Sequence, residues 1–198
     1  MNYLAHAYLS FKHTPTLLGN MSSDFIKGKS KFDYPKDMQV GIALHRHIDD
    51  FTDSHPSTLQ ARKYFKDAVG TYSGAFVDVS YDHFLALDTN EFHDESALQQ
   101  FALYTYKELQ DNVSLLPQML QSMLPYMQQH NWLYNYRTFW GLEKSFEGVT
   151  RRAVYLQDAS PAFHAFQENY EQLKACYQSF FPDVKKFAFH QFQLLQNQ

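Results

Sequence analysis

The sequence contains little cysteine and no long apolar segment. Its single cysteine is Cys176, so an internal disulfide is excluded and a reducing compartment is expected. No apolar run approaches the roughly 20 residues that a membrane span needs. The first residues, MNYLAHAYLSFKH, lack the basic start and small-residue cleavage site of a signal peptide. These absences predict a cytoplasmic protein with no membrane partner.

The chain also lacks the positive charge typical of nucleic-acid binders. It has 17 Lys and Arg against 21 Asp and Glu, which gives a formal net charge of −4. General nucleic-acid binders are usually basic, so this class of partner is not expected. With 44% hydrophobic residues in 198 positions, the chain can bury one sizeable core. We predict one domain over residues 1–198, and we leave the oligomeric state open.

Signals for β-structure are scarce. There is no Asn-Gly or Asp-Gly hairpin turn and little strict alternation, whereas helical periodicity recurs throughout. Helix starts are predicted near Asn2, Thr16, Lys36, Ser57, Gly74, Asp94, Pro117, Asn135 and Pro161. Further helix starts or breaks are predicted at Pro15, Pro35, Pro56, Pro182, Gly70, Gly141 and Gly148. The expected fold is an all-α helical bundle.

Imidazole groups are concentrated in the first half, where seven of the ten histidines precede residue 94. On a helix over residues 36–53, His45 and Asp49 are one turn apart and continue an apolar stripe. Both should therefore face inward, whereas Asp50 should face solvent. A buried carboxylate needs a cation, which a metal ion or an arginine would supply. A helix ion pair or a core hydrogen bond is the alternative. The second half, rich in Gln, Tyr, Phe and Leu, is interpreted as scaffold and cover.

Three further stretches carry candidate ligands. Asp78 and Asp82 are spaced i, i+4 and repel each other unless something positive lies between them. His6 lies among apolar residues and is either a ligand or a hydrogen-bonded core histidine. Asp24 follows a turn predicted at residues 19–20 and is either a ligand or a helix cap. Imidazole and carboxylate together are typical ligands of a hydrolytic divalent metal, and several helices can each contribute one or two.

Two apparent motifs are excluded. The stretch GKS resembles the end of a phosphate-binding loop, but Ser23 stands where that motif requires glycine. The adjacent His93 and Asp94 lie in a polar loop before a helix N-terminus, where an acidic residue is favourable. Cys176 lies on an amphipathic helix and is expected in the core.

Basic residues follow one of the candidate ligands. Lys27 and Lys29 come just after Asp24 and are either a solvated loop or a docking site for an acidic partner or a phosphate. Arg151 and Arg152 are a second candidate anion contact, with a helix C-terminal charge pair as the alternative.

Four stretches in this order resemble the acyl-carrier-protein phosphodiesterase family. They are MNYLAHAYLS, GNMSSDFIKG, GIALHRHIDDFTDSHP and VDVSYDHFLA, and weaker similarity continues through YRTFWGLEKSFEGVTRRA. The resemblance implies an all-helical fold like that of the HD metal-dependent phosphohydrolases. It also implies removal of 4′-phosphopantetheine from the serine of holo acyl carrier protein, with a divalent metal, expected to be manganese.

The resemblance assigns roles to individual residues. Metal ligands are expected at His6, His45, Asp49 and Asp82. Asp24 or Asp78 is expected as a ligand or general base, and His83 as a group that orients a ligand or protonates the leaving group. Contacts to the substrate phosphate or the acidic carrier are expected from Lys27, Lys29, Arg46, Arg151 and Arg152. Two alternatives remain open: an HD-type hydrolase of a nucleotide or small phosphodiester, and a non-catalytic helical module that binds an acidic partner.

Overall fold

The computed structural model describes residues 1–197, which form helices and no strand. The all-α prediction is therefore confirmed for this part of the chain. The α-helices are α1 Tyr3–Tyr8, α2 Thr14–Ser22, α3 Lys36–Ser54, α4 Pro56–Val69, α5 Ser73–Ala86, α6 Glu95–Asp111, α7 Gln118–Gln129, α8 Trp132–Asn135, α9 Phe139–Arg152, α10 Ser160–Glu168 and α11 Tyr170–Gln196. Short 3₁₀ segments are Ser23–Phe25, Gly28–Asp33, Gly70–Tyr72 and Val113–Leu115. None of the described helices is long and apolar enough to cross a membrane.

Three predicted breaks are wrong. Pro182 lies inside α11, and Gly141 and Gly148 lie inside α9. α11 continues past its proline because Phe181 before it and Val184 after it are both buried in the core. Tertiary packing thus outweighs a local helix breaker.

One apolar core connects the helices. Aromatic rings dominate it: Phe76 packs edge-on against Phe146 with ring centroids 4.9 Å apart, and Tyr81 stacks on Phe180 at 4.9 Å. Buried residues from both halves of the chain belong to the same cluster. This shared core supports the predicted single domain.

Two glycines bring α2 and α3 into backbone contact. A Cβ atom on Gly19 would lie 2.0 Å from the carbonyl oxygen of Met38, and one on Gly41 would lie 2.2 Å from that of Thr16. Only glycine permits this approach. The predicted turn at residues 19–20 is wrong, since both residues lie within α2. As a result Asn20 lies directly against α3.

A buried carboxylate positions the short helix α1. The side chain of Asp82 on α5 is fully buried and accepts hydrogen bonds from the backbone N–H groups of Leu4 at 2.7 Å, Ala5 at 3.2 Å and Asn2 at 3.3 Å. The unpaired amides of a helix N-terminus are thereby satisfied. This anchor holds α1 with His6 facing α3.

Candidate metal centre

Two helices bring three ligand groups together. His6 on α1 and His45 and Asp49 on α3 offer nitrogen and oxygen atoms that all lie within 4.8 Å of one another. The two imidazole rings are stacked with centroids 3.8 Å apart and an angle of 13° between their planes. Both histidines are buried, while the Asp49 side chain is 39% exposed and opens the site to solvent. The predicted inward orientation of His45 and Asp49 is confirmed.

Asn20 fixes the orientation of both imidazoles. Nδ1 of His6 lies 2.8 Å from the side-chain oxygen of Asn20, and Nδ1 of His45 lies 2.8 Å from its backbone carbonyl oxygen. The amide nitrogen of Asn20 donates to the backbone oxygen of His6 and to Ser10, so its oxygen must face the rings. Since both partners are acceptors, each Nδ1 carries the proton. This is the arrangement that supports metal-binding histidines.

The opposite ring nitrogens face carboxylate oxygens. Nε2 of His6 lies 3.2 Å from Asp49 Oδ1, and Nε2 of His45 lies 3.1 Å from both Asp49 Oδ2 and Asp24 Oδ1. With Nδ1 protonated, a neutral imidazole presents a lone pair to these oxygens. Nε2 of His6 is indeed buried without a hydrogen-bond partner among the described residues. Lone pairs and carboxylates that converge in this way can bind a cation, and the donor set fits a divalent metal.

The two histidines differ in proton affinity. Burial, with the neighbouring His45, lowers the pKa of His6 to about 4. Burial also acts to lower the pKa of His45, but Asp24 and Asp49 outweigh it and raise that pKa to about 9. At neutral pH the metal-free pair therefore carries one positive charge, on His45, whose Nε2 holds a second proton.

Asp24 lies at the solvent edge of the centre. It belongs to the 3₁₀ segment Ser23–Phe25 that directly follows α2, and its side chain is 65% exposed. The hydrogen bond from His45 keeps the pKa of Asp24 below its ordinary value, so the carboxylate is ionised. Asp24 is therefore available to a metal, a water molecule or a substrate.

Asp78 lies beside the ligand set, paired with the amino group of Met1. The Met1 nitrogen is 3.0 Å from Asp78 and 3.6 Å from Asp49. Burial lowers the pKa of this amino group, but Asp78 and Asp49 outweigh it and raise the pKa to about 10. The positive charge expected near Asp78 and Asp82 is thus this ammonium group.

Asp82 and His83 are not brought to the ligand atoms. Both Asp82 oxygens accept from α1, as described above; burial raises its pKa to about 7, and those amides oppose the change. Nδ1 of His83 donates to the backbone oxygen of Tyr136 at 2.7 Å, and its ring stacks on Phe139. Burial lowers the pKa of His83 to about 4. In this structure Asp82 therefore positions α1, and His83 is a core histidine of the aromatic cluster.

The predicted basic contacts divide into two groups. Lys27 and Lys29 are exposed beside the 3₁₀ segment that follows Asp24, and the half-buried Arg46 donates to the backbone oxygen of Ile26 at 3.3 Å. Arg46 therefore holds the segment that leads from Asp24 to the lysines. Its outward position on α3 is explained by this contact.

Arg151 and Arg152 lie at a separate cavity next to α1. The cavity has a volume of about 550 Å³. It is lined by Asn2, Tyr3, Met123, His130, Trp132, Asn135, Tyr136, Trp140, Gly141, Lys144, Ser145, Gly148, Arg151 and Arg152. Most of these residues come from α7 to α9, so the interpretation of the second half as mere scaffold and cover is too narrow.

Sequence reasoning missed two parts of this region. Asn20 carried no signal of its own, because its role depends on the helix crossing that brings it to His45. The cavity had a weak signal: both tryptophans of the chain, Trp132 and Trp140, lie shortly before the two arginines. His93 and Asp94, by contrast, behave as predicted, since Asp94 accepts from the N–H of Ala97 at the start of α6.

Comparison with known proteins shows which family the chain resembles. The family model described as "Acyl carrier protein phosphodiesterase" matches residues 1–184. Curated proteins named acyl carrier protein phosphodiesterase are 29% identical in Photorhabdus laumondii, over 95% of both chains, and 29% identical in Yersinia pestis, over 96% of this chain and 98% of the relative. The protein of that name from Pectobacterium atrosepticum is 29% identical over 95% of this chain and 97% of the relative. No solved structure matches, so the likeness to the HD phosphohydrolase fold stays a prediction.

Proposed function

Because the chain belongs to the acyl carrier protein phosphodiesterase family, we propose that it hydrolyses the phosphodiester joining 4′-phosphopantetheine to the serine of holo acyl carrier protein. The observation that carries this proposal is the convergence of His6, His45 and Asp49 in one opening. Phosphodiester hydrolysis needs a cation to stabilise charge on the phosphoryl oxygens and a group to accept a proton from water. The centre provides ligands for the first and a carboxylate for the second.

His6, His45 and Asp49 would hold a divalent ion, for which manganese is the expected identity. A bound divalent ion supplies Lewis acidity toward the phosphoryl oxygens and makes a bound water more acidic. Asn20 holds both imidazoles with Nε2 directed at the site, and Asp82 holds α1 so that His6 reaches it. Neither residue needs to touch substrate.

Asp24 is proposed as the proton acceptor. Its carboxylate is ionised and exposed, and it lies beside His45 at the entrance to the centre. A water molecule between Asp24 and the phosphorus would lose its proton to this carboxylate as it attacks, while the serine oxygen leaves on the opposite side. Asp78 is only partly exposed and is paired with the Met1 amino group, so it is less accessible for this role.

The proposed macromolecular substrate is the acidic carrier protein, met in the cytoplasm. Lys27 and Lys29 are exposed next to Asp24 and provide positive charge on the path to the centre. Opposite charges on enzyme and carrier would speed their encounter and set its orientation.

The experiment compares Asp49→Asn with Asp50→Asn. These neighbours on α3 have the same chemistry, but Asp50 is exposed and outside the ligand set. Purified variants are incubated with holo carrier protein and manganese, with a chelator control, and the carrier is weighed by mass spectrometry. Wild type and Asp50→Asn should remove the phosphopantetheine mass only with metal, whereas Asp49→Asn should be at least about 100-fold slower.

Three results would contradict the proposal. Hydrolysis of small phosphodiesters with the holo carrier left intact would identify a different phosphohydrolase. Tight carrier binding without metal uptake or turnover would identify a binding module. Equal turnover by wild type and Asp49→Asn would show that the reaction occurs elsewhere on the protein.

A further inference from the structure

The cavity between α1 and α7 to α9 has the size and chemistry of a binding site for an extended small molecule. Its volume of about 550 Å³ falls within the range of roughly 300 to 1,000 Å³ typical of ligand sites. From the lining, we infer that it receives the pantetheine arm of the substrate, so that the arm, and not only the carrier protein, is recognised. This inference rests on the proposed function and adds a subsite to it.

The lining matches the arm group by group. Pantetheine combines a branched apolar segment, a hydroxyl group, two amides and a terminal thiol, and it carries no charge. Apolar walls are provided by Trp132, Trp140 and Met123, while Asn2 and Ser145 provide side-chain hydrogen-bonding groups. A mostly apolar site with a few polar groups is how proteins hold and orient such ligands.

The charges at the cavity place the phosphate end of the arm. Lys144, Arg151 and Arg152 line the cavity, and no acidic residue is among its lining residues in the described chain. Lys144 and Arg151 pair with Glu147 outside that lining, at 2.7 Å and 3.9 Å. A phosphodiester anion is therefore favoured where the arginines lie, because no acidic side chain in the lining repels it. The uncharged remainder of the arm then extends between the tryptophans.

Tyr3 connects this cavity to the metal centre. It lines the cavity and belongs to α1, three residues before His6. Burial raises the pKa of the Tyr3 phenol, the Arg152 guanidinium opposes the change, and the charge of Asp24 adds to it. Because Tyr3 and His6 are three residues apart on α1, their side chains are neighbours on one face of the helix, and the cavity adjoins the centre. A phosphate between Arg152 and Asp24 would have its arm directed into the cavity.

Gly148 offers a way to block the cavity without disturbing the centre. It is a helical residue of α9 that lines the cavity, and a Cβ atom added to it would meet only Nη2 of Arg151, at 3.7 Å. A leucine there would point its side chain into open space that the arm is proposed to occupy. Glu143→Leu is the matched control, because Glu143 is exposed on the same helix and does not line the cavity.

The test uses the only two tryptophans of the chain, Trp132 and Trp140, which both line the cavity. Free 4′-phosphopantetheine is titrated into the protein while tryptophan fluorescence is recorded. A saturable change is expected for wild type and Glu143→Leu, with binding at least about tenfold weaker for Gly148→Leu. No saturable change in wild type, or equal binding by Gly148→Leu, would overturn the inference.

A second measurement needs no variant that might misfold. Wild-type protein is given carrier protein whose serine bears either full phosphopantetheine or a phosphodiester to a short alcohol. The shortened arm should lower kcat/KM by about tenfold or more, because binding energy of the remote part of the substrate is lost. Equal rates would overturn the inference and leave the proposed function intact. Failure to cleave either carrier would overturn the proposed function, while the fluorescence titration would still decide whether the cavity binds the arm.

Discussion

Asn20 contacts both histidines of the centre. Its side-chain oxygen and its backbone oxygen each accept from a different imidazole, and its amide nitrogen is held by the backbone of His6 and by Ser10. Both oxygens are therefore fixed before any metal arrives. A residue that orients two metal ligands at once, as Asn20 does, should affect metal affinity more than a residue that orients a single ligand.

Asn20→Ala should weaken metal binding by roughly 10- to 100-fold while the protein remains folded. The reason is that His6 loses the oxygen that accepts its Nδ1 proton, whereas His45 keeps the backbone oxygen of residue 20. Isothermal titration with Mn²⁺ measures the affinity. Asn112→Ala is the control, since Asn112 makes a partly buried side-chain hydrogen bond to Glu108 far along the chain from the centre. Unchanged affinity in Asn20→Ala would show that the rings are held by other contacts.

His83 should affect stability more than chemistry. Its pKa is about 4 in the folded protein against an ordinary value near 6.5. Between these values the unfolded chain takes up a proton that the folded chain does not, so stability falls as the pH drops from about 6.5 to about 4. The full loss is up to roughly 3 kcal/mol.

His83→Asn should remove this part of the pH dependence, because asparagine does not titrate there. Urea unfolding at about pH 7.5 and about pH 4.5 measures the change in stability. The exposed His190→Asn serves as the control. Carrier hydrolysis by folded His83→Asn should stay within about threefold of wild type; a loss of more than about 100-fold would return His83 to the catalytic role implied by the family resemblance.

At the scale of elements, the centre depends on how closely α2 approaches α3. A methyl group on Gly19 would collide with a backbone oxygen at 2.0 Å, and the backbone cannot move aside without separating the helices. The residue next to Gly19 is Asn20, so this separation would also pull the orienting oxygens away from His45. Packing and ligand orientation therefore change together.

Gly19→Ala should destabilise the fold by more than about 2 kcal/mol and weaken metal binding. Gly148→Ala is the matched substitution, because its added methyl meets only a side-chain nitrogen at 3.7 Å. The latter should be neutral or stabilising by up to about 1 kcal/mol, as expected for glycine in a helix. Thermal and urea unfolding compare the two variants. Similar stability of both would mean that the helices separate at little cost.

For the whole molecule, the relevant property is an uneven distribution of charge. The chain carries a net charge of −4, yet Lys27, Lys29 and Lys31 lie together beside the entrance to the centre. An acidic carrier would otherwise be repelled, so this local positive charge should govern association. Its influence should decrease as salt shortens the range of electrostatic forces.

The double variant Lys27→Glu/Lys29→Glu should raise KM for holo carrier by about tenfold at low salt and leave kcat nearly unchanged. Lys63→Glu/Lys66→Glu on α4 is the control, since it changes the net charge equally on exposed residues of another surface. Steady-state kinetics at low and high salt measure both effects. If the two double variants have the same KM, the lysines beside Asp24 do not dock the carrier.

Local patterns in the sequence were sufficient to predict much of the fold. The apolar stripe of α3 predicted that His45 and Asp49 face the same side, where His45 is buried and Asp49 reaches the opening, because helical periodicity alone determines which residues share a face. The helix breaks predicted at Pro182, Gly141 and Gly148 are wrong because tertiary packing compensates for unfavourable helix residues. The Gly19–Gly41 contact could not be predicted from the sequence, since it depends on which two helices meet.

In the candidate site too, local patterns predicted some features, while features that depend on distant segments could not be predicted. The residue types on inward faces indicated a metal, and His6, His45 and Asp49 do converge. Periodicity could not distinguish Asp82 as a ligand from Asp82 as the anchor of α1, because both require a buried carboxylate. It could not place Asn20 either, since the partners of a buried amide are fixed only when distant segments meet.

The stacked imidazoles have a consequence for how the centre fills. Two rings 3.8 Å apart cannot both hold a positive charge, and in the metal-free pair only His45 carries a second proton, on Nε2. That proton occupies the nitrogen that a metal needs, so loading is an exchange in which a cation enters and a proton departs. Below about pH 9, where His45 remains protonated in the empty site, each unit of acidification should cost about a tenfold loss of apparent metal affinity. Acidification alone should therefore release a bound metal from the centre.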